Sequence, residues 1–456
     1  MRHVLTACLT ALVLSACGAV PPVGKGTAVS ATAELPPMRR FPAGAASPPR
    51  RSNAEMARDF MDLSFALESG RSLPVLTRFE EPIRIRMTGV APATAAEDLG
   101  RLLARLRSEA GIDIAAAPTG APAQITVEFL PRKAMQRLVP RAACFVAPRV
   151  GSWDGYRRAR RADLDWATLT HRDVAAIFIP NDTAPQEVRD CLHEELAQAL
   201  GPLNDLYRLP DSVFNDDNIH TVLTGFDMLM LRATYAPDLR SGMAAPEVAA
   251  RLPGLFARIN PGGERGGTAY SDPTPRAYSQ AIETALGPGT SGPRRRVAAR
   301  TALDIAEARG WQDARTGFAW LALGRLSLGH DAGIAETAFR EAARIYESRP
   351  ELALQLAHAD MQLAAFALSD GRADEVIQRT ARALPLAAEA QNAALLASLL
   401  MVRAEALDLI GRASEARQVR LDSLGWARYG FASDAEVRLR LMNIAALSPA
   451  SRTRHK

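Results

Sequence analysis

The stretch Cys191-Leu-His-Glu-Glu-Leu-Ala-Gln-Ala-Leu-Gly-Pro-Leu-Asn-Asp205 decides how the N-terminal half of this chain is interpreted. Helix-start signals upstream of it predict a helix over residues 185–200. Gly201 follows that helix, where a left-handed cap is common. Glu194 and Gln198 are four residues apart, so both side chains project from one face of the helix.

The spacing of this stretch resembles the signature of the zincin metalloproteases, H-E-x-x-H-x-x-G-x-x-H/D. Glu194, Gln198 and Asn204 stand at the three ligand positions, with Asp205 beside the third. Glu195 stands where the general base of the family would be, and the resemblance gives it a catalytic role only if the site is active. Oxygen ligands suit calcium, magnesium or manganese better than zinc. The resemblance therefore implies ligand positions that have lost their zinc chemistry.

A second alignment begins at His193 and looks like the first half of His-Glu-x-x-His. It requires a second histidine where Ala197 stands. His220 lies further along the chain, and no spacing argument brings it to this helix. The first alignment also accounts for Gly201 and for the turn that follows, so we favour it.

The elements around the helix are predicted in the order helix, strand, helix, strand, strand, irregular edge, strand and helix. Their ranges are 53–70, 82–87, 94–111, 112–115, 124–130, 131–172, 173–179 and 185–200. From the first strand onward, this order is similar to the N-terminal half of a metzincin domain. Ser212-Val-Phe214 stands where metzincins have their Met-turn, with Phe214 in place of the methionine. The resemblance implies an α+β domain with a mixed sheet.

The block from Cys191 to Met243 is also similar to an uncharacterised family of proteobacterial lipoproteins, known as domain of unknown function 2927. The segments that carry the resemblance are Glu-Glu-x-x-Gln-x-Leu-Gly, Ser-x-Phe-Asn-Asp and Arg-Ala-Thr-Tyr-Ala-Pro. The resemblance covers about residues 55–245 and implies no established activity.

The N-terminus has the layout of a secretion signal. Arg2 and His3 precede an apolar run over residues 4–14 that is too short to span a bilayer. Leu14-Ser-Ala-Cys17 resembles a bacterial lipobox, which implies lipidation of Cys17 after cleavage, and Gly18 favours the outer membrane, facing the periplasm. A plain signal peptide with an incidental cysteine is the alternative.

The cysteines indicate one disulfide. Of the four in the chain, Cys8 lies in the signal and Cys17 at the lipobox, so Cys144 and Cys191 remain for the folded part. In an oxidising compartment such a pair predicts a disulfide, which would fix the central helix. Two unpaired buried thiols are the alternative.

The net charge of +5 comes from an arginine-rich composition. The clusters at 156–161 and 294–296 have the charge to contact phosphate or lipid headgroups, but solvated loop charge explains them more simply. Aromatic residues are not interleaved with the basic ones as single-stranded nucleic-acid binding requires, so no nucleic-acid partner is predicted.

The C-terminal part predicts paired helices. Gly329, Gly371 and Gly411 open short turns at a spacing of about 40 residues. Leu323-Gly324, Ala335, Phe339 and Ala342 resemble the tetratricopeptide pattern, which implies an all-α repeat domain. An unrelated helical bundle is the alternative.

These observations predict six regions along the 456 residues. They are a signal peptide (1–16), a lipid-anchored disordered tether (17–52), a metzincin-like α+β domain (53–245), a linker with short helices (246–296), tetratricopeptide-like repeats (297–446) and a disordered tail (447–456).

The favoured function is an envelope lipoprotein with a catalytically degenerate metalloprotease-like domain and a helical module that binds a protein partner. It needs no cofactor and meets the membrane only through its lipid anchor. One alternative is an unconventional hydrolase that uses a divalent metal and Glu195 as general base. Another places all function in the repeats. The chain has no Gly-x-Ser-x-Gly motif and no phosphate loop.

Overall fold

A computed structural model describes residues 34–42, 44, 47–49, 51–265 and 272–453. The predicted signal peptide and Cys17 lie outside these ranges. The chain forms two compact units. We call Pro42–Thr274 the α/β unit, and Met1–Phe41 together with Pro275–Lys456 the helical unit.

The α/β unit is built on a mixed sheet of five strands. They are β1 (Ile83–Gly89), β2 (Ile114–Ala116), β3 (Ile125–Leu130), β4 (Phe145–Pro148) and β5 (Ala175–Pro180). Their order across the sheet is β2-β1-β3-β5-β4. All neighbouring pairs are parallel except β4 and β5, which are antiparallel. Every residue of β5 is buried, as expected for a strand covered on both faces.

The helices of this unit are α1 (Asn53–Ser64), α2 (Ala95–Ala110), α3 (Arg132–Gln136), α4 (Trp153–Arg158), α5 (Pro185–Leu200), α6 (Gly225–Thr234) and α7 (Ala245–Ile259). The bounds of α5 are the ones predicted from the sequence. Helix α5 packs against β4, β5 and α2, and it is buried over nearly its whole length. It is therefore a central element of the unit.

A smaller apolar cluster includes Phe178 and the rings of helix α4 and strand β4. Trp153 and Tyr156 stack with their ring centroids 5.4 Å apart, and Phe145 lies 5.0 Å from Phe178. The arginines that follow Tyr156 are on the surface, where Arg160 forms an exposed ion pair with Asp163. Tyr156 thus has a packing role within the basic cluster 156–161.

The helical unit consists of α8 (Arg276–Leu286), α9 (Gly292–Ala308), α10 (Ala314–Ser327), α11 (Ala332–Glu347), α12 (Ala353–Ser369), α13 (Ala373–Glu389), α14 (Ala393–Leu409), α15 (Ala413–Gly430), α16 (Asp434–Ala445) and α17 (Pro449–Thr453). Successive helices pack in pairs: α8 with α9, α10 with α11, α12 with α13 and α14 with α15. No helix among the described residues is long and apolar enough to cross a membrane.

The structure differs from the sequence prediction at both ends of the helical unit. The unit includes α8, which is one of the short helices predicted within the linker 246–296, so this part of the predicted linker belongs to the helical unit. Residues 34–41, predicted as part of a disordered tether, belong to this unit and contact α15. Part of the predicted tail is also helical, as α17.

Helices α10 and α11 approach closely at two glycines. A Cβ atom at Gly324 would lie 2.6 Å from a ring carbon of Phe339, and one at Gly317 would lie 2.2 Å from the ring of Tyr346. Both rings are fully buried, so they have little room to move. Gly324 and Phe339, which belong to the residues that resemble the tetratricopeptide pattern, therefore form a tight contact between α10 and α11.

We predict that Gly324→Ala destabilises the helical unit by about 1–3 kcal/mol, because the methyl group overpacks the contact with Phe339. The measurement is urea unfolding followed by circular dichroism. Gly100→Ala is the control: nothing lies within 4 Å of a Cβ there, on an exposed face of α2. That change should stabilise by about 0.5–1 kcal/mol through helix propensity. A neutral Gly324→Ala would contradict the close approach.

Candidate functional site

Helix α5 is fixed at its C-terminal end by a buried arginine. Arg172 donates hydrogen bonds from its guanidinium to the carbonyl oxygens of Gln198 (2.6 Å), Ala199 (2.7 Å) and Gly201 (2.6 Å). These are the carbonyls that a helix end leaves without partners. Burial lowers the pKa of Arg172 to about 10, so the side chain stays charged at neutral pH. Its positive charge stabilises α5, because the C-terminal end of a helix is the negative end of its dipole.

The sequence predicted a left-handed cap at Gly201, and this is wrong. The φ angle of Gly201 is −172°, an extended value that any residue adopts. A Cβ atom at this position would instead lie 3.0 Å from the side chain of Thr234 on α6. Glycine fits here because the side chain of Thr234 on α6 lies close to the end of α5.

A disulfide joins Cys144 to Cys191, with the sulfur atoms 2.05 Å apart. It links the residue before β4 to the middle of α5. Val146, two residues after Cys144, donates its backbone N–H to the carboxylate of Glu195. The edge strand and the helix are therefore connected by one covalent bond and one hydrogen bond.

Carboxyl side chains on α5 and on the loops beside it influence each other's ionisation. We call this group the carboxylate cluster; its members are Glu68, Glu194, Glu195, Asp205 and Asp216. Gln198 lies next to the carboxylate cluster, because the Nε2 atom of Gln198 donates to Asp205 Oδ2 at 3.5 Å. Asp205 is also hydrogen-bonded to Glu68.

The carboxyl groups on α5 and after it hold their protons unusually strongly. Burial, followed by the charges of Asp216 and Glu68, raises the pKa of Glu194 to about 8. Burial and the neighbouring carboxylates raise the pKa values of Glu195 and Asp205 well above their ordinary range. The folded protein therefore favours the protonated forms of these carboxyl groups.

Two oxygen atoms of the cluster lack hydrogen-bond partners among the described residues. They are Glu195 Oε2 and Asp205 Oδ1, and both are inaccessible to solvent. The Glu195 side chain is buried, with 5% of the residue exposed. A buried ionised oxygen without a partner is costly, which again favours the protonated form.

The loop after α5 is held by Asp227 of α6. Ser212 Oγ donates to Asp227 Oδ1 at 2.5 Å, and the backbone N–H of Val213 donates to Oδ2 at 3.2 Å. Phe214, in the position of the metzincin methionine, is fully buried. The loop then places Asp216 at a φ of 57°, and Tyr207 donates its hydroxyl to Asp216 Oδ2 at 2.6 Å.

The remaining predicted site residues make other contacts. Asn204 donates its Nδ2 to the carbonyl oxygen of Asp62 at 2.9 Å, while its neighbour Asp205 faces the cluster. His193 Nδ1 accepts the backbone N–H of Leu223 at 3.0 Å. Burial lowers the pKa of His193 well below its ordinary value.

His220, the other histidine considered for the site, also has a hydrogen-bond partner: its Nε2 atom lies 3.0 Å from the carbonyl oxygen of Pro210. The alignment that begins at His193 thus gains no support from the structure. Among the described residues, no group of three or more His, Cys, Asp or Glu side chains is placed to hold a metal ion. The donors of the cluster are carboxyl and amide oxygens, and they do not fit zinc, which takes nitrogen and sulfur ligands with few oxygens.

Sequence reasoning missed two members of the cluster. Glu68 follows α1 and is remote from α5 in sequence, so no spacing rule points to it. Asp216 lies in the Ser-x-Phe-Asn-Asp segment, which was noted for its family resemblance but given no role. Arg172 gave no signal either, because a lone arginine before a strand is usually on the surface.

Comparison with known proteins adds one result. Residues 53–254 match the family model described as "Protein of unknown function (DUF2927)". This part of the chain is therefore similar to that family, and the match spans α1 to the first part of α7 and includes α5. No curated protein and no solved structure matches the chain.

We predict that Glu194→Gln stabilises the α/β unit at pH 8 by about 1–3 kcal/mol, since one unit of pKa shift corresponds to about 1.4 kcal/mol. The pKa of Glu194 is raised to about 8 from 4.5, so the folded state binds its proton more tightly than the unfolded chain does. Stability linked to this group is present at low pH and is lost as the pH rises through about 8. Urea unfolding between pH 5 and 8 measures the difference.

Two comparisons make this test specific. The buried histidines affect the wild type and the variant equally, so they cancel in the difference. Glu187→Gln, on the same helix, removes a carboxylate that is ion-paired with Arg132 at 2.6 Å and should give no gain at pH 8. An equal or lower stability of Glu194→Gln at pH 8 would contradict the raised pKa.

Proposed function

We propose that the protein is an envelope lipoprotein in which the DUF2927 domain is a metzincin-like scaffold without catalytic activity and the helical unit binds a protein partner. The lipid on Cys17 would be its attachment to the outer membrane. The proposal rests on the chemistry of the carboxylate cluster, with support from the order of elements in the domain.

The single observation that carries the proposal is the set of side chains at the aligned ligand positions. Glu194, Gln198 and Asn204 offer carboxyl and amide oxygens and no imidazole, and the amide of Asn204 donates to the carbonyl oxygen of Asp62. The raised pKa values of Glu194, Glu195 and Asp205 agree with this, because burial favours their protonated forms. A metal ligand must be deprotonated, and a general base must be able to accept a proton, so protonated forms suit neither role.

The order of elements supports the metzincin-like interpretation. The domain has a strand, a helix, two strands, a further strand and α5 in the order predicted, and the stretch predicted as an irregular edge contains β4, which is the antiparallel edge strand. The α5 helix packs against that edge, and the loop with Phe214 follows it. The frame of a metalloprotease would thus persist while its imidazole ligands are absent from the aligned positions.

A second candidate is an unconventional hydrolase with a hard divalent cation. The observation in its favour is the pair of unpartnered oxygens, Glu195 Oε2 and Asp205 Oδ1. A cation beside them would lower the pKa values of the cluster and restore a base at Glu195. This candidate requires a bound metal, so metal content distinguishes it from the favoured function.

The helical unit provides the features of a binding module. Its helices pack in successive antiparallel pairs, and arrays of this kind usually present a groove for an extended peptide or a helix. Several large apolar side chains of this unit are exposed, including Ile334, Ile410, Leu421 and Met442. Such residues supply contact area for a protein partner.

We predict that removing residues 275–456 abolishes the partner interaction. The tagged chain is expressed in its native cells, cross-linked at the membrane and purified, and co-purified proteins are identified by mass spectrometry. A partner should be recovered with the full chain but not with the truncated one, because the helical unit holds the binding surface.

The matched control is the full chain with Glu194→Gln and Glu195→Gln, which alters the cluster but leaves the helical unit intact. It should keep the partner. The truncated chain must still form the Cys144–Cys191 disulfide and show its own unfolding transition. Recovery of the same partner with the truncated chain would refute the proposal.

A further inference from the structure

Helix α15 has a face that is covered by an extended segment from the N-terminal part of the same chain. Asp422, Gly425 and Trp426 lie on one face of the helix, since they are spaced three and four residues apart. Residues 36–41, with the sequence Pro-Pro-Met-Arg-Arg-Phe, run across it without regular secondary structure. Both α15 and this segment belong to the helical unit.

Backbone and side-chain contacts fix the register of the segment. The backbone N–H of Arg39 donates to the carbonyl oxygen of Gly425 at 2.9 Å. Arg428 donates from its guanidinium to the carbonyl oxygen of Pro36 at 3.1 Å. The guanidinium of Arg39 reaches Asp422 Oδ1 at 2.6 Å.

An aromatic contact closes the interaction. The rings of Phe41 and Trp426 stack with centroids 4.4 Å apart, and only 6% of Phe41 is exposed. The Arg39 guanidinium lies 5.8 Å from the centre of the Trp426 ring. An otherwise exposed phenylalanine of an extended segment thus has a specific place on α15.

Gly425 explains why this face of α15 admits a peptide backbone. A Cβ atom there would lie 2.9 Å from Arg39 Cγ and 3.3 Å from the carbonyl oxygen of Pro37. Glycine inside a helix costs about 1 kcal/mol relative to alanine. Gly425 therefore makes α15 less stable than alanine would, and the close approach of the segment explains why a glycine stands there.

The contact is small and partly exposed. The Arg39–Asp422 pair is 49% and 36% exposed, and such surface pairs contribute little to stability. An interaction of this size persists within one chain because the linked segment is present at an effective concentration of about millimolar. A competing segment in another molecule can therefore displace it.

We propose that this face of α15 is a docking site for an extended peptide with an arginine and, two residues later, an aromatic side chain, and that residues 36–41 occupy it as a removable cover. The occupant is the chain's own segment. Its role as a cover for the partner-binding module rests on the function proposed above, whereas the docking site itself does not.

The test uses the full chain, purified in mild detergent, and a fluorescein-labelled peptide of residues 34–42. The double variant Arg39→Ala, Phe41→Ala removes the two anchoring side chains of the cover and opens the site. The peptide should bind this variant about tenfold or more tightly than the wild type, because the wild type's own segment competes at high effective concentration. Fluorescence anisotropy measures both affinities.

Further variants in the opened chain locate the binding site. Adding Trp426→Ala should weaken peptide binding at least about tenfold, since the aromatic stack is lost. Asp422→Asn should weaken it less, and it preserves the packing of α15. Arg417→Ala is the matched control, because Arg417 is exposed on α15 away from the docked face; it should leave the affinity unchanged.

Three results would overturn the proposal. They are equal peptide affinities for the wild-type and opened chains, no binding to an opened chain that keeps the wild-type helical signal, and a wild-type dimer that the double variant converts to monomer. The last would mean that the segment docks on a second copy. Failure to find a protein partner in cells would count against the adaptor function and leave these measurements unaffected.

Discussion

In the part of the chain that the structure describes, Glu194, Glu195 and Asp205 have no basic side chain as an ion-pair partner, and the rest of the site depends on this constraint. Elsewhere the chain neutralises buried carboxylates with arginine. Asp59 is paired with Arg51 and Arg208, and Asp360, which is completely buried, is paired with two arginines of α13. Glu194 is influenced instead by other acidic groups, all of which raise its pKa. The protein must therefore neutralise the cluster with protons or with a bound cation.

The surrounding structure keeps this cluster in a fixed geometry. Arg172 holds the C-terminal carbonyls of α5, the Cys144–Cys191 disulfide holds its middle, and Asp227 holds the loop that carries Asp216. Such complete positioning is what a catalytic site requires. In a domain without activity it would serve as a rigid scaffold, with shared protons in place of a metal.

Local patterns predicted the fold well where a strong signal lies within a few residues. The bounds of α5 came directly from Pro185 and the position of Gly201, and the apolar runs predicted β3 and β5. The pairing of β4 with β5 and the positions of Glu68 and Arg172 depend on contacts between distant parts of the chain. No periodicity or spacing rule contains that information.

Two further differences have physical causes that only packing reveals. Glycine often forms a left-handed cap, so the sequence predicts one at Gly201, but what distinguishes this position in the structure is its close approach to the side chain of Thr234. The sequence predicts a disordered tether that includes residues 34–41, because the segment is rich in Pro, Ala and Gly and has no periodic apolar pattern. Their order comes from Trp426 and Gly425, which are remote in sequence.

The metal content of the purified full chain tests the central claim most directly. The protein is prepared without chelator or added metal and analysed by inductively coupled plasma mass spectrometry, and its melting is compared with and without chelator. If protons neutralise the cluster, the protein should contain no stoichiometric divalent metal, and chelator should not change its melting temperature. About one metal per chain that disappears in Glu194→Ala would contradict this and establish a cation as the partner of the carboxylate cluster.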